Sequence, residues 1–505
     1  MAFKQDDPLT SMSASELTDR LARREVSAEE AARAHLDRII TLDGKVSAFV
    51  ALLRGEALET ARRIDERRAR GEDVGPLGGL PVTVKENLDF EGQPVTLGIV
   101  ARKDKIARRD ATVVRGLRRA GAVILGRTNV PQLMLSHETR NPVYGVTSNV
   151  FSRDHAPGGS SGGEASAIAA GMSPLGVGTD IGGSIRVPAA WSGICGFKPT
   201  LDRLSNRGSN GALPGQESIR SQCGPMARHV RDLVLFLRSV DPSSMGADDP
   251  LVPPLPFGDP STIDASKLRV GYYVDDGLVT PSSAVGRAVM EAARALRDRG
   301  LDVRPFSLPR MREGIGLYFA LMSADGGETA FGQLAGTPIE PTLAPLKRMA
   351  SLPDAVRGVL VRGLRAAGEE RPSWVLSNVG EKSVAELWRA TLAARNYRLE
   401  VIEAMRQSQV DVLLCPAHAT PAVPHTLSAQ FTLAGSYSML FNLLQFPAGV
   451  VPVATVRPSE ADRLGTPQDR FDKIARQVDK KSAGLPVGVQ LAAAPFQDEK
   501  ALAAM

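Results

Sequence analysis

The chain has 505 residues, more than one average domain, and its 43% apolar and 23% charged composition is that of a globular protein able to bury a large core. Lysine plus arginine exceed aspartate plus glutamate by only 61 to 56, and the two signs are interleaved, which excludes the basic stripe of a nucleic-acid binder. The three cysteines, Cys195, Cys223 and Cys415, are odd in number and far apart, which excludes a disulfide framework and suits a reducing compartment.

The start, "MAFKQDDPLT", lacks the apolar core of a secretory signal, and no apolar run reaches the ~18 residues of a membrane span. A cytoplasmic, non-spanning protein is expected. Ser13 with Glu16 and Ser27 with Glu30 have capping-box spacing, and Leu36, Ile39 and Ile40 continue the second as an apolar stripe. This predicts a helical hairpin over about 13–42. Strand-type runs "LPVTV" (80–84) and "AVIL" (122–125) then alternate with helical patterns, the signature of an α/β sheet. The glycine-rich stretch 156–200 follows without a linker, so it belongs to the same domain, whose core is placed at about 75–240. Residues 242–260 carry six prolines and read as a long surface connection. Beyond them come a strand, "KLRVGYYV", and a helix at 283–299 that Gly300 stops. A helical insert covers about 341–410. The strands "DVLLCPA", "AGVVPVATV" and "GLPVGVQL" end the chain, with a polar insert at 457–483.

The glycine clusters do not make a nucleotide site. "GVGTDIGG" misses the G-x-G-x-x-G spacing by one residue, and no G-x-x-x-x-G-K-[ST], H-E-x-x-H or C-x-x-C is present. "GGSSGG" (158–163) matches the nucleophile elbow G-x-S-x-G, but an elbow follows a buried strand, whereas "FSRDHAP" is polar. A Ser…Asp…His order using His418 or His425 is the alternative there. For all six histidines the plainer reading is solvent exposure or a structural hydrogen bond.

"GTDIGGSIRVPAA" (178–190) places Ser184 behind two glycines with no histidine nearby. A serine hydroxyl is a weak nucleophile until a base takes its proton. Lys85, at the end of "GLPVTVKENLD", follows an apolar strand. On burial statistics a lone lysine is a surface residue, yet a buried one loses its charge easily and becomes a base near neutral pH. It could then serve Ser184 through Ser160. Spacing alone leaves both readings of Lys85 open.

Three stretches close the choice by resemblance. "GLPVTVKENLD" (79–89), "PGGSSGGEASAIAAG" (157–171) and "PLGVGTDIGGSIRVPAAWSGICGFKPT" (174–200) resemble the amidase signature family. The resemblance implies a single α/β domain over 1–505, with a mixed central β-sheet flanked by helices on both faces. It implies a Ser–Ser–Lys triad with Ser184 as nucleophile, Ser160 as bridge and Lys85 as base, and no metal or organic cofactor. The oxyanion hole would be the backbone N–H groups of Ile181, Gly182, Gly183 and Ser184, with Ser161, Asp180 and Arg186 in support. For Asp180 and Arg186 a surface ion pair is the competing reading.

"TNVPQLML", "GPMARHVRDL" and "LFNLLQFPAGVVPVATV" lean toward the fatty acid amide hydrolase branch. That branch implies Met134, Leu135 and Thr179 as substrate contacts and a fatty acid amide or N-acyl amine as the small-molecule substrate. A short-chain or aryl amide is the alternative, then an amidotransferase subunit acting on tRNA-bound glutamate. A homodimer without nucleic acid is expected. The branch's animal member carries an N-terminal transmembrane helix that this sequence lacks, and the chain's end suggests a shortened final helix. Between 352 and 367, Leu352, Val356, Val359, Leu360, Leu364 and Ala367 recur at helical spacing, with Arg357, Arg362 and Arg365 between them. Such a stripe either faces the core or lies weakly on a membrane surface, its arginines at headgroups.

Overall fold

The computed structural model describes residues 7–240, 242–463 and 465–505. Among the described residues thirteen strands occur in chain order: β1 (Phe49–Leu52), β2 (Pro81–Lys85), β3 (Val123–Thr128), β4 (Arg140–Asn141), β5 (Gly145–Val146), β6 (Leu175–Asp180), β7 (Cys195–Lys198), β8 (Gln222–Ala227), β9 (Arg269–Tyr272), β10 (Asp302–Pro305), β11 (Val412–Pro416), β12 (Ala448–Thr455) and β13 (Pro486–Ala493). β4 and β5 pair by themselves, and the other eleven form one sheet in the order β1-β3-β2-β6-β8-β7-β12-β13-β11-β9-β10. Neighbours β3-β2-β6 and β11-β9-β10 are parallel; the pairings between them from β6 to β11 are antiparallel. The sheet is mixed, as expected.

The central strands read as near-continuous apolar or small-residue runs because helices cover both faces. β2, β3, β6, β7, β8, β11 and β13 are buried at every position. Over the β1–β3 end lie helices Ala28–Val46 and Arg54–Ala69, closing one core around Leu36, Leu117, Val123 and Phe236. Over the other end lies helix Ser283–Asp298, in a second core with Val289, Val412 and Leu440.

This topology brings the chemistry-bearing segments together. β2 and β6 are adjacent and parallel, so Lys85 and Asp180, their last residues, emerge at the same edge. The carboxyl ends of parallel strands are where α/β sheets gather ligands. The loop before helix Gly162–Ala169 lies against β6 because Gly178 has no side chain; a Cβ there would come within 2.7 Å of Ser161 Oγ.

Several expectations need adjustment. The hairpin at 13–42 is the helix pair Ala14–Ala22 and Ala28–Val46, but only Ser27–Glu30 closes a reciprocal capping box. The insert at 341–410 is four helices: Ala344–Ala350, Asp354–Ala366, Glu370–Asn378 and Val384–Gln407. The polar insert at 457–483 holds an unforeseen helix, Arg470–Asp479, which buries Phe471, Ile474, Ala475 and Val478 at helical spacing. The proline-rich connection is pinned to the core by Met245 and Val252. The last helix, Asp498–Ala504, is present, and Asp498 accepts hydrogen bonds from Thr200 N–H (2.8 Å) and its hydroxyl (2.6 Å).

Part of the stripe at 352–367 faces the core, through half-buried Leu352 and Leu364, and part does not. Val356, Val359 and Leu360 are 46%, 59% and 43% exposed. Nor do all three arginines project outward. Arg357 is buried and donates to the Val379 carbonyl and the Asp354 carboxylate, so it fastens the helix rather than lining its outer face. Among the described residues no helix is long and apolar enough to cross a membrane.

Candidate active site

Lys85 closes β2 fully buried, with its Nζ 2.7 Å from Ser160 Oγ, 2.9 Å from Thr179 Oγ1 and 3.3 Å from the Thr179 carbonyl oxygen. No carboxylate lies within ion-pair distance among the described residues. Burial without a paired anion penalises the ammonium, and the Lys85 pKa falls to about 7, with more distant carboxylates such as Asp180 opposing the fall. The three contacts suit the neutral amine. Its two N–H groups donate to Thr179 Oγ1 and the Thr179 carbonyl, and its lone pair is left for the Ser160 hydroxyl. Thr179 Oγ1 passes its own proton toward Asn87 Oδ1 at 3.5 Å.

Ser160 and Ser184 line one cavity, and their loops are joined by the Ser161 N–H donating to the Ser184 carbonyl at 3.1 Å. No hydrogen bond joins the two hydroxyls directly. Ser184 sits in the turn between β6 and helix Arg186–Trp191, which Gly183 makes at φ +103°.

Asp180 organises that turn. Its carboxylate accepts from Gly183 N–H (2.8 Å), Ile185 N–H (3.0 Å), Asn442 Nδ2 (2.9 Å) and two Arg186 nitrogens (3.0 and 2.9 Å). Burial alone would raise its pKa, but the Arg186 guanidinium holds the carboxyl well below the ordinary range. Arg186 also donates to the Ser438 carbonyl (2.8 Å), Gln490 Oε1 (2.6 Å) and Asn442 Oδ1 (2.6 Å). Both members are fully buried, so the surface-pair reading of Asp180 and Arg186 is wrong. The geometry also takes Gly183 out of the expected oxyanion hole, because its N–H is committed to Asp180. Among the described residues the N–H groups of Ile181, Gly182 and Ser184 have no acceptor.

Two cavities meet at Ser184. One, of about 180 Å³, is apolar and lined by Met134, Leu135, Ile181, Phe319 and Met439 among others. The other, of about 580 Å³, is more polar, with Asn206, Ser209, Asn210, Glu217 and Arg220 on its walls beside apolar residues such as Leu213 and Ile219. Thr179, expected as a substrate contact, borders the more polar cavity and holds Lys85. Ser161 Oγ lies 3.4 Å from the Thr179 amide. Neither histidine of the alternative triad touches a site serine: His418 Nδ1 bonds within its own turn to Thr420, and His425 Nδ1 lies 3.0 Å from Glu138. Sequence reading missed Asn442 and Gln490, which no local pattern connects to a turn some 250 to 300 positions earlier.

An amidase family model matches residues 30–502. Fatty-acid amide hydrolase 1 of Sus scrofa is 40% identical over 438 residues, covering 85% of this chain and 74% of that protein. Fatty acid amide hydrolase 1 of Caenorhabditis elegans is 35% identical over 505 residues, covering 99% and 88%. A solved structure of fatty acid amide hydrolase superposes with a TM-score of 0.83 at 27% identity, covering 98% of this chain and 84% of that one. With a family match over nearly its whole length, the chain belongs to the amidase signature family and is an amide hydrolase.

Proposed function

We propose that this amidase cleaves amides of long acyl chains through a Lys85–Ser160–Ser184 relay and an acyl-enzyme. The observation that carries the relay is a buried lysine held against Ser160 with no anion to keep it charged. Neutral Lys85 accepts the Ser160 proton as Ser160 accepts that of Ser184. The Ser184 oxygen adds to the amide carbon, and the new oxyanion meets the N–H groups of Ile181, Gly182 and Ser184. The proton returns through Ser160 to the amide nitrogen, which leaves as an amine. Water then enters by the same relay in reverse and frees the acid.

The acyl preference rests on the apolar cavity and on the similarity to fatty acid amide hydrolases. At about 180 Å³ that cavity falls short of the ~300 Å³ at the low end of ligand pockets, which by itself favours a short acyl group. It abuts a second cavity of about 760 Å³ through the shared walls Leu346, Met349, Val375, Ala429 and Thr432. Joined, the two are large enough for a long chain, and the second runs beneath Leu360 and Leu364 of the exposed stripe. We propose that this stripe, with exposed Arg362 and Arg365, rests reversibly on anionic lipid, from which such chains would enter.

Three experiments test this reading. Ser184→Ala is expected to lose amide turnover and fluorophosphonate labelling, and Lys85→Ala to lose roughly 10²–10⁴-fold on amides and less on esters, whose leaving group needs less proton delivery. Since only neutral Lys85 accepts a proton, the wild-type rate should rise with pH through about 7, an inflection absent from Lys85→Ala. Wild-type-like amide rates in Lys85→Ala would reject the relay. With a fixed leaving group, rates from acetyl to oleoyl amides should climb, and Ala429→Phe should cut the oleoyl rate ~10-fold or more while sparing acetyl; a profile peaking at acetyl would make the short-chain reading correct. The protein should sediment with anionic vesicles at low salt, and Val356→Asp/Val359→Asp should abolish this without changing acetyl-amide turnover. Failure of the wild type to sediment would remove the lipid contact.

A further inference from the structure

Two side chains far apart in sequence grip the nucleophile turn from the acyl side, and neither has a part in the relay. Tyr318, on helix Met311–Met322, donates its hydroxyl to the Ile181 carbonyl at 3.1 Å. His137 places Nε2 3.0 Å from the Gly182 carbonyl. A carbonyl only accepts, so Nε2 carries the proton and the bond fixes the tautomer. Both residues line the apolar cavity beside Ser184. Each is held in turn by ring packing: Tyr318 edge-on to Phe319 at 6.0 Å, and His137 edge-on to His418 at 5.8 Å.

A trans peptide is planar, with its C=O and the following N–H antiparallel, so gripping a carbonyl aims the next amide. The Tyr318 bond to Ile181 therefore sets the Gly182 N–H, one of the three without a protein acceptor. The His137 bond to Gly182 sets the Gly183 N–H, which runs to Asp180 at 2.8 Å. The fit leaves no room at Gly182, where a Cβ would lie 2.4 Å from the Tyr318 hydroxyl. We infer that Tyr318 and His137 are positioning residues for the oxyanion hole: from the wall of the acyl cavity Tyr318 fixes the 181–182 peptide, so that the Gly182 N–H is aimed before the substrate oxyanion forms, and His137 fixes the 182–183 peptide that anchors it to Asp180. Neither group touches the reacting atoms. The inference rests on the proposed acylation of Ser184.

Labelling of the wild type, but not Ser184→Ala, by a fluorophosphonate tests that underlying reading separately. With labelling established, Tyr318→Phe and His137→Phe, which keep an aromatic ring and remove the donor, are assayed beside His137→Gln, whose amide can donate from a similar position. The expected result is a ~10–100-fold loss in kcat for the two phenylalanine variants, KM within about twofold, and substantial recovery in His137→Gln. The decisive readout is inhibition by an acyl trifluoromethyl ketone, which Ser184 converts into an oxyanionic adduct, against the matching alcohol, which forms none. Ketone affinity should fall in parallel with kcat while alcohol affinity holds. Equal loss for ketone and alcohol, or an unchanged kcat in Tyr318→Phe of wild-type melting temperature, would overturn the inference and leave both residues as cavity lining.

Discussion

The interaction on which the site depends is the burial of Lys85 without a counter-ion. An ammonium in that position would need a carboxylate, and the structure directs its nearby carboxylates elsewhere. Asp180 is consumed by Arg186 and by the backbone of the turn it organises. Glu164 accepts from Thr83 at 2.6 Å and Thr128 at 2.9 Å, and burial pushes its pKa up to about 7. What remains around Nζ is a carbonyl and two hydroxyl oxygens, neutral groups that offset the burial of an ammonium less than a carboxylate would. The low-dielectric setting that lowers the Lys85 pKa also strengthens the hydrogen bonds that hold the turn.

The buried ion pair Asp180–Arg186 plays the complementary part. Breaking such a pair typically costs ~3–5 kcal/mol because the surviving charge stays buried. Here it also ties the turn that carries Ser184 to Ser438, Asn442 and Gln490, on a helix and a strand far along the chain. The two cavities that meet at Ser184 differ in character, one lined largely by apolar side chains and the other carrying Asn206, Asn210 and Arg220 as well.

Much of this was readable in the sequence. The apolar run ending at Lys85 and the glycines flanking Ser160 and Ser184 are local, and the parallel pairing of β2 with β6 converts their order along the chain into proximity. What was not readable depends on partners distant in sequence. Thr179 gave no sign that its oxygens would face a lysine 94 positions earlier. Gly183 looked like an oxyanion donor until Asp180, three residues before it, claimed its N–H. The stripe at 352–367 has the periodicity of a core-facing helix, but periodicity does not say which side is covered; Arg357 turns inward to the Val379 carbonyl and the valines stay outside. Helix Arg470–Asp479 was masked by its charges, although Phe471, Ile474, Ala475 and Val478 carry the period.

The central claim is that Lys85 titrates near neutral pH, so that a large share of it is uncharged there, and the most direct measurement is its own titration. Protein labelled with ¹³C at lysine Cε gives a shift that reports amine protonation, and the signal missing from Lys85→Met identifies the residue. The account predicts a midpoint near 7. A midpoint near the ordinary ~10.4 of an exposed lysine would contradict it.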